Sequence, residues 1–138
     1  MHGLEFDVAH MLSGGLVLGS FLMLYQERMP ALINALALQS ALRHPERLAG
    51  VLAMSTYLPL ADALGAESSP ANRDIPIFMA HGTDDPVIPI SRAQTSKAEL
   101  LALGYSVEWH EYRMPHSVCM EEVADIAAWM RTALPPTR

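Results

Sequence analysis

From residue 35 onward the hydrophobic positions fall into two kinds of run. Ala35 to Arg43 (ALALQSALR) has helix-forming composition and ends at His44-Pro45, where proline denies a helix its next turn. Leu48 to Ser55 (LAGVLAMS) and Ile75 to His81 (IPIFMAH) are short and almost wholly apolar, as strands buried on both faces of a sheet are. Between them, Ala61 to Asp74 contains Gly, Ser, Pro and Asn and reads as an excursion over the surface. Ser91 is placed to cap a helix running through Leu103, with Gly104 where helices end. Ser106 to Arg113 (SVEWHEYR) sets Val107, Trp109 and Glu111 against Glu108, His110 and Tyr112, a strand with unlike faces. A last helix carries Val123, Ile126, Ala127, Met130 and Leu134 at spacings of three and four and finishes before Pro135-Pro136.

Strands and helices in this alternation predict the α/β class, with a mostly parallel sheet flanked by helices. Ligands of such sheets sit at the carboxyl ends of the strands. The loops after Ser55, after His81 and after Arg113 are therefore expected to open onto one edge.

Residues 1–34 do not continue this pattern and read as a divergent hydrophobic N-terminal segment, set against an α/β part over 35–138. The longest uncharged stretch, Val8 to Gln26, holds His10, Ser13, Ser20 and three glycines, which leaves its apolar core short for a membrane span of ~20 residues. Glu5 and Asp7 precede it, with no Lys or Arg, so the charged start of a secretory signal is absent. The Leu16, Leu18, Phe21, Leu22, Met23 and Leu24 cluster is expected to be core or to cover a sheet edge. A bare hydrophobic edge would favour association, and a homodimer is expected if nothing covers it.

The net charge is −6 and no run of Lys or Arg occurs, which argues against nucleic acid or an anionic membrane as the main partner. About half the residues are hydrophobic (51%), enough for a packed core, so disorder is excluded as a class. Cys119 is the one cysteine; it builds neither a disulfide framework nor a thiolate metal site, and it fits a cytoplasmic chain. A small, buried, apolar role near a helix start is expected for it.

Two loops carry chemistry. His81 to Pro89 (HGTDDPVIP) follows a buried strand and places Asp84 and Asp85 in a tight turn bounded by Gly and Pro. A carboxylate fixed there orients an imidazole without moving, although aspartates also make turns for their own sake. Arg113 to Val118 (RMPHSV) again follows a strand and sets His116 just ahead of the final helix. Histidine is the side chain that changes charge near neutral pH, and suits general-base work. An acid loop followed by a histidine loop in one parallel sheet is the chain order of Ser…Asp…His hydrolases.

The stretches ALALQSALRHPERLAGVLAMSTYLP, IPIFMAHGTDDPVIP and GYSVEWHEYRMPHSVCMEEVADIAAWM together resemble the phospholipase/carboxylesterase family of α/β-hydrolases, the bacterial carboxylesterases related to acyl-protein thioesterases. The resemblance runs from about Ala35 to Leu134. It implies a partial α/β-hydrolase fold whose N-terminal half is missing. It assigns the triad acid to Asp85 rather than Asp84, through an HGxxDxVVP-like segment, and the triad base to His116, through a YxMxHxxxxEE-like segment. Ser55 to Pro59 (STYLP) would help line an acyl site. The implied reaction is hydrolysis of a carboxylic ester or acyl-thioester through a serine ester, with a small-molecule substrate and no cofactor or metal.

The same resemblance places the nucleophile of a GFSQGG-like elbow at Ala31, which has no hydroxyl and no elbow glycines beside it. Ser13, followed by Gly14-Gly15, is a weak substitute with Met11 where the first elbow glycine belongs. His2-Gly3-Leu4 echoes an oxyanion loop in three residues only. Ser55, Ser117, Ser20 and Ser40 have no elbow around them. The abrupt change near Ala35 is what a mis-started or frame-shifted product would give, and an inactive remnant or a non-catalytic binding module is the alternative to an esterase.

Overall fold

The computed structural model describes residues 32–134, all within the second of two compact units, Ala31–Arg138. The expectations for residues 1–31, including His2-Gly3-Leu4, Ser13, the 8–26 stretch and Ala31, lie outside the described residues. Helix α1 is described over 32–43, followed by strand β1 (Val51–Met54), helix α2 (Ala61–Glu67), strand β2 (Pro76–Gly82), helix α3 (Ile90–Ala102), strand β3 (Ser106–Tyr112) and helix α4 (Met120–Ala133). The strands pair in the order β1-β2-β3, and both pairings are parallel. Their carboxyl ends therefore lie along one edge, as the alternation predicts.

The central strand explains the layering. Its alternate residues feed two cores, one on each face of the sheet. Ile77 and Met79 join Val51 and Ala53 of β1, Leu38 and Leu42 of α1, Leu64 of α2 and Leu100 of α3. Phe78 and Ala80 face the other way, onto Tyr112, Met114 and Trp129, with Ile126 and Ala133 of α4 beside them. Phe78 is wholly buried, so truncating it to alanine is expected to cost about 3–5 kcal/mol. The unlike faces of β3 separate in the same way. Val107 and Trp109 pack on the α3 side, while Tyr112 is buried on the α4 side.

Several local readings are corrected. The first strand is shorter than Leu48–Ser55, and the 61–74 excursion contains α2 and a 3-10 turn, Pro70–Asn72. Seven residues cannot hold a helix by propensity; burial of Leu64 supplies the reason for α2. Helix α3 starts two residues earlier than read, with Pro89 rather than Ser91 at its N-cap and no side-chain cap, so Ser91 is inside the helix. Its end is as expected, with Gly104 at φ +88 just past the C-cap.

The inward stripe of α4 is the largest correction. Val123 and Met130 are 45% and 41% exposed, and the buried positions are Glu122 and Trp129. The helix is turned by one residue because the large Trp129 ring, stacked obliquely on Phe78 at 5.7 Å, claims the core. Among the described residues, no helix is long and apolar enough to cross a membrane.

Candidate active site

The end of β2 and the end of β3 are stitched together by main-chain bonds. The Thr83 N–H donates to Tyr112 O at 2.8 Å, and the Asp84 N–H donates to Met114 O at 3.2 Å. The two loops touch backbone to backbone at Gly82, where an added Cβ would lie 2.3 Å from Met114 O and 2.6 Å from Pro115 O. Only glycine permits that approach. The acid loop and the histidine loop are therefore fixed against each other before any side chain acts.

Within this frame Asp85 and His116 meet. His116 Nδ1 lies 2.7 Å from Asp85 Oδ2, a short charge-assisted hydrogen bond in which the ring donates and the carboxylate accepts. The other oxygen of Asp85 accepts the N–H groups of Val87 (2.8 Å) and Ile88 (2.9 Å). Asp85 is buried, whereas Asp84 is exposed, which gives the physical reason for choosing between the adjacent aspartates. Burial opposes ionisation of Asp85, but the Ile88 N–H, the His116 ring, the Val87 N–H and the charge of His116 outweigh it. The carboxyl is held below its ordinary range. With the Nδ1 proton committed to Asp85, a neutral His116 has its free lone pair on Nε2, and the ring is only half-buried.

Beside β1 the chain turns sharply. Ser55 has φ +45, a left-handed conformation that costs a Cβ-bearing residue roughly 1–2 kcal/mol. It is held there by its N–H donating to Ala80 O at 2.9 Å. Three residues further on, Ser96 Oγ of α3 accepts the Leu58 N–H at 2.8 Å and ties the loop down. Tyr57, Leu58 and Pro59 then line a groove of about 270 Å³ with Ser91, Arg92, Thr95 and Glu99. The Arg92 guanidinium sits 5.0 Å above the Tyr57 ring, a cation–π contact that rigidifies the wall.

Other chemistry-bearing residues are placed elsewhere. His110, on β3, contacts Glu108 at 3.0 Å and Asp125 at 3.5 Å, and stacks on Phe78. Tyr112 donates its hydroxyl to Asp125 at 2.8 Å, and burial together with that bond raises its pKa. Cys119 is half-buried rather than buried; its Sγ caps α4 by accepting the Glu122 N–H at 3.5 Å. Among the described residues, no group of three or more His, Cys, Asp or Glu is arranged to hold a metal. Two buried titratable groups escaped the sequence reading as individuals: His81, which was legible only as the first letter of HGTDDPVIP, and Glu122, which no periodicity marks as internal.

Comparison with known proteins agrees with the fold. The Phospholipase/Carboxylesterase family pattern matches residues 34–134. Acyl-protein thioesterase 1 of Mycosarcoma maydis is 39% identical over 107 residues, covering 74% of this chain and 45% of that protein. Among solved structures, SOBER1 of Arabidopsis thaliana superposes with a TM-score of 0.69 at 27% identity, covering 73% of this chain and 49% of that one. The acyl-protein thioesterase 2 of Zea mays gives 0.58 at 29% identity, over 65% and 42% respectively. The chain spans about half the length of the curated relatives it matches. The resemblance read from residues 35–134 thus holds, and the chain belongs to the phospholipase/carboxylesterase family of α/β-hydrolase-like proteins.

Proposed function

We propose that this chain carries the acid–base half of a serine-type carboxylic ester or acyl-thioester hydrolase, with His116 as general base and Asp85 as the group that orients it. The observation that carries this reading is the 2.7 Å bond from His116 Nδ1 to a buried Asp85 that is otherwise supplied only with backbone donors. That arrangement leaves His116 Nε2 as the atom that takes a proton from an attacking hydroxyl and returns it to the leaving group. Asp85 stabilises the imidazolium formed in between. The groove lined by Tyr57, Leu58 and Pro59 opens near the same sheet edge and supplies a partly apolar wall for an acyl group.

The reaction also needs a serine hydroxyl for His116 to activate. Attack by a serine oxygen on an acyl carbon would give a serine ester and release the alcohol or thiol; water, deprotonated by the same His116, would then release the acid.

Turnover of a short-chain p-nitrophenyl ester tests the reading. Hydrolysis is expected in the whole chain and is expected to fall at least a hundredfold in His116→Ala, since a positioned acid–base group contributes about 10²–10⁴ in rate. Hydrolysis that survives His116→Ala, or none at all from a folded chain, would contradict it.

A further inference from the structure

We propose that His81 is a positioning residue for the acid of the dyad, fixing the Asp85–Ile88 turn so that Asp85 presents one oxygen to His116. The proposal rests on the reading of Asp85 and His116 as the acid–base pair. His81 is the last residue but one of β2, within its buried run, and is wholly inaccessible. Its Nε2 lies 2.8 Å from Ile88 O. A carbonyl only accepts, so Nε2 carries the proton and donates it.

That bond holds the same turn whose two N–H groups are bound by Asp85. The Ile88 N–H points at Asp85 Oδ1 while the Ile88 carbonyl is held by His81. One residue is thereby clamped at both of its main-chain polar groups. Rotation of the Ile88 backbone would break a bond whichever way it turned. The same Nε2 sits 3.5 Å from Asp85 Oδ2, too far for a good hydrogen bond but close enough to bias the carboxylate. Asp85 Oδ2 is left with one close donor, the His116 ring.

A second observation separates this role from ordinary packing. His81 Nδ1 is buried without any hydrogen-bond partner. An orphaned buried acceptor is costly, and an apolar side chain of similar size would fill the space without it. The imidazole is thus explained by what Nε2 does and by nothing that Nδ1 does. His81 touches no substrate in this account; it acts through Asp85.

The test is proton NMR of the whole chain, following the low-field resonance expected for the His116 Nδ1 proton bound to Asp85. In the wild type it should appear and should vanish in Asp85→Asn. In His81→Leu it should be lost, or should exchange with water about tenfold faster, because the turn opens more often. His81→Gln, whose side-chain amide reaches Ile88 O, should restore it. His81→Asn, too short to reach, should behave like His81→Leu, and the Gln and Asn variants decide the matter if the Leu variant does not fold. A resonance unchanged in His81→Leu and His81→Asn would overturn the role of His81 alone. A wild-type spectrum without the resonance would overturn the dyad and, with it, anything for His81 to position.

Discussion

Among the described residues two side-chain carboxyls are buried, those of Asp85 and Glu122, and they are treated in opposite ways. Asp85 is 7% exposed and receives two N–H groups and an imidazole; its carboxyl is held below the ordinary range. Glu122 is wholly buried at the first turn of α4, neither carboxylate oxygen finds a partner, and burial pushes its pKa up. Burial is common to both, so burial does not decide charge. The supply of donors does. The acid loop is built to keep a charge, and the first turn of α4 is built around a carboxyl that is better off without one.

The comparison is broken most severely at the hinge between the loops. Gly82→Ala is expected to push the Met114–Pro115 backbone away, since its Cβ meets two carbonyl oxygens well inside contact distance. Overpacking of this kind costs about 1–3 kcal/mol, read as a lower midpoint in chemical denaturation. A shift of the histidine loop by ~1 Å would also lower ester turnover about a hundredfold.

Next in size is Asp85→Asn. A carboxyl whose folded pKa is depressed contributes stability that is present above its unfolded value, about 3.9, and is lost as pH falls through the folded value. Denaturation midpoints should therefore fall on acidification below about pH 4 in the wild type, and fall less in Asp85→Asn. At pH 7 the variant should be destabilised by about 2 kcal/mol, as an amide cannot accept a charge-assisted bond at Oδ2 with equal strength.

Glu122→Gln should move the other way. A carboxyl with a raised folded pKa costs stability increasingly as pH rises from about 4.3 through the folded value. Replacing it removes that cost, with a gain of about 1 kcal/mol at pH 7 that vanishes below about pH 4. A carboxylate at a helix start is worth ~0.3–1 kcal/mol to the helix dipole, which caps the gain without reversing it. Destabilisation at pH 7 would mean that Glu122 is charged and paired, and the contrast with Asp85 would go.

The fold and the dyad were legible to different depths. The run IPIFMAH could be read as a strand because both faces of β2 are covered, so nearly every residue is apolar. Asp85 and His116 were legible as a pair only because two loops follow two strands of one sheet; the preference for Asp85 over Asp84 came from resemblance. Its cause is tertiary: the turn buries one aspartate over two amides and turns the next one out. The α4 stripe was misread because hydrophobic periodicity counts Val123 and Met130 equally with Trp129, whereas packing rewards the larger side chain. Glu122 was invisible for a related reason. A charged residue at the third helical position looks like a solvated cap, and nothing in the sequence marks this one as internal. His81 was hidden inside a motif, its role being set by a carbonyl seven residues on.

The measurement that bears most directly on the central claim is intact mass after treatment with a fluorophosphonate probe, followed by peptide mapping, on the wild type and on His116→Ala. Such probes bond only to a serine activated by a base. A single serine label that disappears in the His116 variant is expected. A folded wild-type chain that takes no label, or a label that persists without His116, would contradict it.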